Sequence, residues 1–188
     1  EVLNLPAGYI PTLDIRRRET AIKGIKDFFE RQLAEALGLY RVTAPIVVRS
    51  GTGINDDLNG IEKPVRFNVK EDGDAQVEIV QSLAKWKRLA LAEYGFGIGE
   101  GLYTDMNAIR PDETIDPLHS IYVDQWDWEK VISPEQRNLE TLYETVRAIY
   151  DCISRTEFHI ASRYSNIRPV LPESIHFTTA EELCRCWP

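Results

Sequence analysis

The chain has 188 residues, enough to bury a core in one domain, and its 43% hydrophobic and 28% charged content is ordinary for a globular protein. A formal net charge of −8 opposes a nucleic-acid partner, because phosphate binding needs a basic face. No apolar run is long enough to span a bilayer, so no membrane partner is expected.

The three cysteines, Cys152, Cys184 and Cys186, form neither a disulfide framework nor a zinc set, and read as reduced thiols of a cytoplasmic protein. EVLNLPAGYI has no basic n-region or apolar h-region and does not read as a signal peptide; its first residue, glutamate, suggests a native start trimmed or upstream. No repeat, low-complexity tract or linker breaks the chain, so a single domain over 1–188 is expected.

A loop with Pro6, Gly8 and Pro11 precedes a long helix from about Asp14 to Leu37, with Ile22, Ile25, Phe29 and Leu33 as its stripe and Gly38 as its cap. YRVTAPIVV is β-rich but broken by Pro45, which belongs at a sheet edge or boundary. PVRFNVK and AQVEIV flank EDGD as a hairpin. A helix capped by Ser82 carries Leu83, Trp86 and Ala90 on one face and ends at Gly95 and Gly97. Strands around TDMNAI and HSIYVDQWDWE follow, joined by PDETIDP. Ser133-Pro134-Glu135-Gln136 opens a second long helix with Leu139, Leu142, Val146, Ile149 and Ile153 buried. A short strand, SIHF, and a capped turn from Thr179 complete an α+β class of helices flanking a mostly antiparallel sheet.

In the strand from Leu118 to Trp128, Tyr122, Asp124, Trp126 and Trp128 share one face, expected to pack against helices. The other face carries His119, Ile121 and Val123, then Gln125 and Asp127. Polar groups ending an apolar face suit a small-molecule site; a strand emerging into water gives the same pattern. Arg110 lies before the preceding turn, near this strand. Its planar fork matches carboxylate or phosphate, although an arginine at a strand end is ordinarily a surface residue. Lys85, Lys87 and Arg88 surround Trp86 at a helix start, as a solvated basic face or as an anion site. Asp56 and Asp57, in GTGINDDLNG, are turn formers or partners of a cationic ligand group. No phosphate-loop pattern is present.

GTGINDDLNGIEKPV, VQSLAKWKR, GEGLYTDMNAIRPDE and LHSIYVDQWDWE each resemble signatures of the ammonia-dependent asparagine synthetases, in order, and the similarity runs from about Arg18 to Trp187. Pro45 and the R-P-D-E…H-S-x-Y-x-D-Q arrangement more weakly resemble two motifs of class II aminoacyl-tRNA synthetases. The resemblance implies a class II synthetase-like catalytic fold. It also implies conversion of L-aspartate, ammonia and ATP, with Mg²⁺, into L-asparagine, AMP and pyrophosphate through β-aspartyl-AMP. By the same resemblance, Arg110 holds the α-phosphate and the reacting carboxylate. Lys87 and Ser82 bind aspartate, Gln125 and Asp127 contact its polar ends, Asp56 lies near the entering ammonia, and Leu118 and Val123 line the adenine side. Arg110, Lys87, Gln125 and Asp127 are then expected to converge on one pocket.

The first helix and the Pro45 strand resemble a twofold homodimer interface. Family proteins are longer, with a glycine-rich arginine segment and Mg²⁺-holding acids that are expected beyond Pro188. The chain therefore reads as incomplete at its C-terminal end (truncated, proteolysed or a shortened paralogue), with weak or no activity alone. Two alternatives fit the same residues: another class II amino-acid-activating enzyme related to aspartyl- or asparaginyl-tRNA synthetases, and a non-catalytic dimerising or ligand-binding protein.

Overall fold

Pro45 separates two short strands that enter two different sheets. In the computed structural model, which describes residues 7–56 and 58–187, β1 (Leu39–Arg41) pairs parallel with β5 (Gly101–Ile109), and β2 (Val47–Arg49) pairs antiparallel with β4 (Ala75–Ile79). Both are edge strands, in the orders β1-β5-β6 and β2-β4-β3. An edge is where a residue without an N–H is tolerated. Pro6 and Asp57 fall outside the described residues.

The chain gathers into two compact units, a division that no linker in the sequence announces. One comprises Glu1–Pro11 and Leu33–Arg137, the other Thr12–Gln32 and Asn138–Pro188.

In the first unit, β3 (Arg66–Val69) and β4 form the expected hairpin across a single helical turn, Lys70–Asp72. β6 (Tyr122–Lys130) runs antiparallel to β5 over nine residue pairs, from Ile109↔Tyr122 to Gly101↔Lys130. The strand begins four residues later than the sequence suggests, because Asp116 folds the preceding segment into a turn: its Oδ1 accepts the amides of Leu118 and His119, each at 2.7 Å. Ile109 N donates to Val80 O (3.3 Å), bonding the end of β5 to the chain leaving β4.

α2 (Ala84–Glu93) packs on this sheet, with Leu83 rather than Ser82 at its N-cap; the Ser82 hydroxyl instead accepts from Ala84 N at 3.3 Å. The sheet face it covers carries Leu102, Met106 and Ala108 from β5 and Val123, Asp127 and Glu129 from β6. The aromatic face of β6 is therefore not the one under the helix. Alternation in β5 decides this, since its fully buried apolar residues define one side, while Trp126 and Trp128 are half-buried on the other and Tyr122 is exposed. Gly101 is required where these strands meet: a Cβ there would lie 2.6 Å from Glu129 O and 2.7 Å from Leu39 Cδ2.

α1 (Ile15–Leu37) starts at Asp14, whose carboxylate accepts Arg17 N at 3.0 Å, and stops at Gly38 with φ +68°. Its buried positions are Ala21, Leu33 and Leu37, whereas Ile22 and Ile25 of the expected stripe are exposed.

The Ser133–Gln136 capping box closes a separate turn (Pro134–Gln136) at the end of the first unit; the second unit resumes at Asn138, which caps α3 (Leu139–Ala161) afresh by accepting Thr141 N at 2.9 Å. Arg137, with φ −79° and ψ 67°, breaks the helix between them. The buried line of α3 is Cys152, Thr156 and Ile160; Leu139, Leu142 and Ile153 are exposed, correcting the expected stripe. Phe28 of α1 stacks on His159 at 4.1 Å. SIHF forms no strand, since no neighbouring strand pairs with it; Phe177 packs instead on Tyr143 at 4.2 Å. α4 (Ala180–Cys186) has the expected Thr179–Glu182 capping box. No helix among the described residues is long and apolar enough to cross a membrane.

Candidate active site

The segment Val80–Ser82, between β4 and α2, is fixed from both sides. Asn55 reaches in from the glycine-rich loop and acts as a short strand: its Nδ2 donates to Ile79 O (3.1 Å) and its Oδ1 accepts Gln81 N (2.8 Å). From the other side, Arg110 Nε and Nη2 both donate to Gln81 O, each at 3.3 Å. Two of the guanidinium's five donors thus converge on one carbonyl, which sets the plane of the fork.

Arg110 and Gln81 line a cavity of about 440 Å³, walled by Leu58, Asn59 and Glu62 from the glycine-rich loop and by Asp112, Glu113 and Thr114 from the turn after β5. Two of its carboxylates are tied to the main chain. Glu62 takes Asn59 N and Nδ2 at 2.9 Å each, and hydrogen bonds from its own amide and from Asn59 hold its pKa below the ordinary value. Asp112 takes Lys63 N at 2.7 Å. These bonds stitch the glycine-rich loop to itself and to the β5–β6 connection. Gln81 is only 1% exposed, and among the described residues neither side-chain amide atom has a hydrogen-bond partner. An unmet buried amide costs about 1–3 kcal/mol per group, so the Gln81 side chain at the cavity wall calls for a polar partner from the cavity.

A second cluster lies on the covered face of β6. Lys87 falls one turn after Leu83, on the core stripe of α2, and is only 4% exposed. A buried ammonium needs partners, and β6 supplies them: Asp127 Oδ1 at 2.5 Å, Trp128 O at 2.9 Å and Glu129 Oε2 at 3.3 Å. In the first turn of the same helix, Lys85 Nζ lies 3.6 Å from Asp56 Oδ1.

The structure thus joins Lys87 to Asp127, Asp56 to Lys85, and Arg110 to the residue before Ser82. Gln125 is exposed, on the same sheet face as Asp127, opposite Met106 in the register. None of Lys87, Gln125 and Asp127 lines the Arg110 cavity. Val123 packs against the cluster of Val80, Leu83, Met106 and Ala108, while Leu118 is 90% exposed in the turn before β6. Among the described residues no three histidine, cysteine or acidic side chains are placed to hold a metal ion. Sequence reasoning missed Gln81, Asn55 and Glu129. Glu129 continues the 125, 127 alternation and was readable; Gln81 stood out only as a polar residue closing the run VEIV; Asn55 carried no local signal.

The family model for aspartate-ammonia ligase matches residues 16–188. An aspartate–ammonia ligase of Clostridium perfringens is 59% identical over 183 residues, covering 97% of this chain and 54% of that protein. One of Bacteroides thetaiotaomicron is 55% identical over 183 residues, covering 97% of this chain and 53% of that protein. The chain spans about half the length of these curated relatives. Among solved structures, an Entamoeba histolytica asparaginyl-tRNA synthetase aligns with TM-score 0.55 at 11% identity, over 80% of this chain and 29% of that one. A Bacillus halodurans ATP phosphoribosyltransferase regulatory subunit/histidyl-tRNA synthetase aligns with TM-score 0.55 at 13% identity, over 82% and 38%. At such identities the likeness speaks for the fold alone, an α+β fold like that of class II aminoacyl-tRNA synthetases. Matched by its family model over nearly its whole length, the chain belongs to the aspartate-ammonia ligase family.

Proposed function

We propose that the protein makes L-asparagine from L-aspartate, ammonia and ATP, releasing AMP and pyrophosphate, as a cytoplasmic homodimer. The observation that carries this reading is Arg110, clamped by two hydrogen bonds to Gln81 O at the wall of a 440 Å³ cavity beside an unsatisfied buried amide. A guanidinium fixed in plane is preorganised for an oxygen pair from carboxylate or phosphate.

The side-chain carboxylate of aspartate is a poor acyl donor. Its oxygen first attacks the α-phosphorus of ATP and expels pyrophosphate, giving β-aspartyl-AMP. Ammonia then attacks the activated carbonyl carbon, AMP departs with the C–O electron pair, and the nitrogen loses a proton. Arg110 offsets the charge gathering on the α-phosphate and the carboxylate. Asp56, steered by Lys85, faces the incoming ammonia and takes that proton. Ser82 and Lys87 hold aspartate, Gln125 and Asp127 meet its polar ends, and Leu118 and Val123 border the adenine. The protein's contribution is positioning and charge, with no covalent enzyme intermediate. Mg²⁺ would neutralise charge on the nucleotide phosphates; among the described residues no three acidic or histidine side chains are placed to hold it, and no step is assigned to it.

The test is stoichiometry. In the full-length protein, supplied with aspartate, ATP, Mg²⁺ and ammonium, AMP and asparagine should appear one for one, and removal of ammonium should abolish both. ATP turnover that continues without ammonium would point to another amino-acid-activating enzyme and end this reading.

A further inference from the structure

The Lys87 ammonium has three N–H groups and three acceptors around it: Asp127 Oδ1 at 2.5 Å, Trp128 O at 2.9 Å and Glu129 Oε2 at 3.3 Å. A lysine so saturated has no donor left for a ligand. Resting on the reading above, in which Lys87 binds aspartate, we propose that Glu129 is a placeholder. Its carboxylate occupies the third donor of Lys87, and a carboxylate of the incoming aspartate displaces it.

The three contacts are unequal in the way an exchange requires. Trp128 O belongs to the main chain of β6 and cannot leave. The Asp127 contact is the shortest, and its side chain is 17% exposed. The Glu129 contact is the longest, and its side chain is 30% exposed, so it reaches water with less rearrangement. Glu129 also has somewhere to go: Arg88 Nε, one residue along α2, already stands 4.0 Å from its Oε1. Swinging from Lys87 toward Arg88 replaces one cation by another.

The swap has a chemical rationale. An ammonium beside two carboxylates carries a net negative neighbourhood, which repels a dicarboxylate ligand. Without Glu129 the third donor of Lys87 would be open to any small anion; with it, only a ligand able to outcompete a tethered carboxylate gains the lysine. Glu129 is thereby a positioning residue that sets selectivity at the expense of affinity.

Calorimetric titration of L-aspartate into the protein and into Glu129→Gln tests this. The neutral amide is nearly isosteric, and thermal melts of both proteins check that the fold is kept. Removal of the competitor should tighten aspartate binding by about three- to tenfold. Aspartic diamide, which has no carboxylate, should gain nothing. A purely structural glutamate would give weaker binding or none of this ligand dependence. Equal or weaker aspartate binding by Glu129→Gln, or an equal gain for the diamide, overturns the exchange and leaves the part of Lys87 in aspartate binding intact. Absence of aspartate binding to both proteins overturns the exchange and the Lys87 assignment together.

Discussion

Lys87 of α2 and Asp127 of β6 lie 2.5 Å apart under the helix, and this pair, rather than an apolar contact, fixes α2 against its sheet at that point. Removing the cation leaves Asp127 and Glu129 facing each other in a half-buried space. Lys87→Met should therefore lower unfolding stability by about 2–4 kcal/mol, read by chemical denaturation. The double variant Lys87→Met/Asp127→Leu should recover much of that loss. A single variant as stable as the parent would mean that the pair contributes nothing.

Gly101 gives a sharper steric prediction. A methyl group at this position would sit 2.6 Å from the carbonyl oxygen of Glu129, which is backbone and cannot rotate away. Gly101→Ala should cost about 1–3 kcal/mol through strain between β5 and β6. The shift should appear as a lower melting temperature, with faster amide exchange along Tyr122–Lys130.

The turn before β6 is held by a titratable clasp. Asp116 Oδ2 meets His119 Nδ1 at 2.8 Å, and this hydrogen bond raises the histidine pKa and lowers that of the aspartate. The raised histidine contributes while it is protonated, and that contribution is lost as pH climbs through its elevated pKa. The lowered aspartate contributes above the ordinary carboxylate value and is lost as pH falls through its depressed pKa. The clasp is firmest between the two. NMR titration should place His119 above an unperturbed histidine, and Asp116→Asn should bring it back down. An unchanged His119 titration in that variant would rule the clasp out.

Asn55 joins the glycine-rich loop to the wall of the cavity through Gln81 N and Ile79 O. Asn55→Ala leaves both of these main-chain groups without that partner and should cost about 1–3 kcal/mol. Exchange of the Gln81 amide, measured site by site, should quicken more than that of Val77 in mid-strand.

What the sequence disclosed was what short-range chemistry controls. Gly38 stops α1, Pro45 marks the boundary between sheets, and EDGD turns the β3–β4 hairpin, each because one residue or one tight turn has few conformations open to it. Misreadings arose where a distant partner decides. Ser133 does cap a turn, yet the dihedrals of Arg137 end that turn and hand the long helix to Asn138. The tryptophans of β6 looked like the face a helix would cover, but the fully buried residues of β5 fix the covered face from the neighbouring strand. At the site, Arg110, Lys87 and Asp127 were named from the chain alone. That the arginine would bind Gln81 O, and that the lysine would already be saturated, depends on pairings 29 and 40 residues apart in sequence.

Everything proposed for catalysis rests on the clamped guanidinium of Arg110. Aspartate-dependent exchange of labelled pyrophosphate into ATP reports formation of β-aspartyl-AMP without requiring ammonia. Arg110→Ala should depress that exchange by about 100-fold or more, as loss of a preorganised donor at a developing charge does, with thermal melts verifying that the variant is still folded at the assay temperature. Exchange at the parental rate in Arg110→Ala would contradict the account.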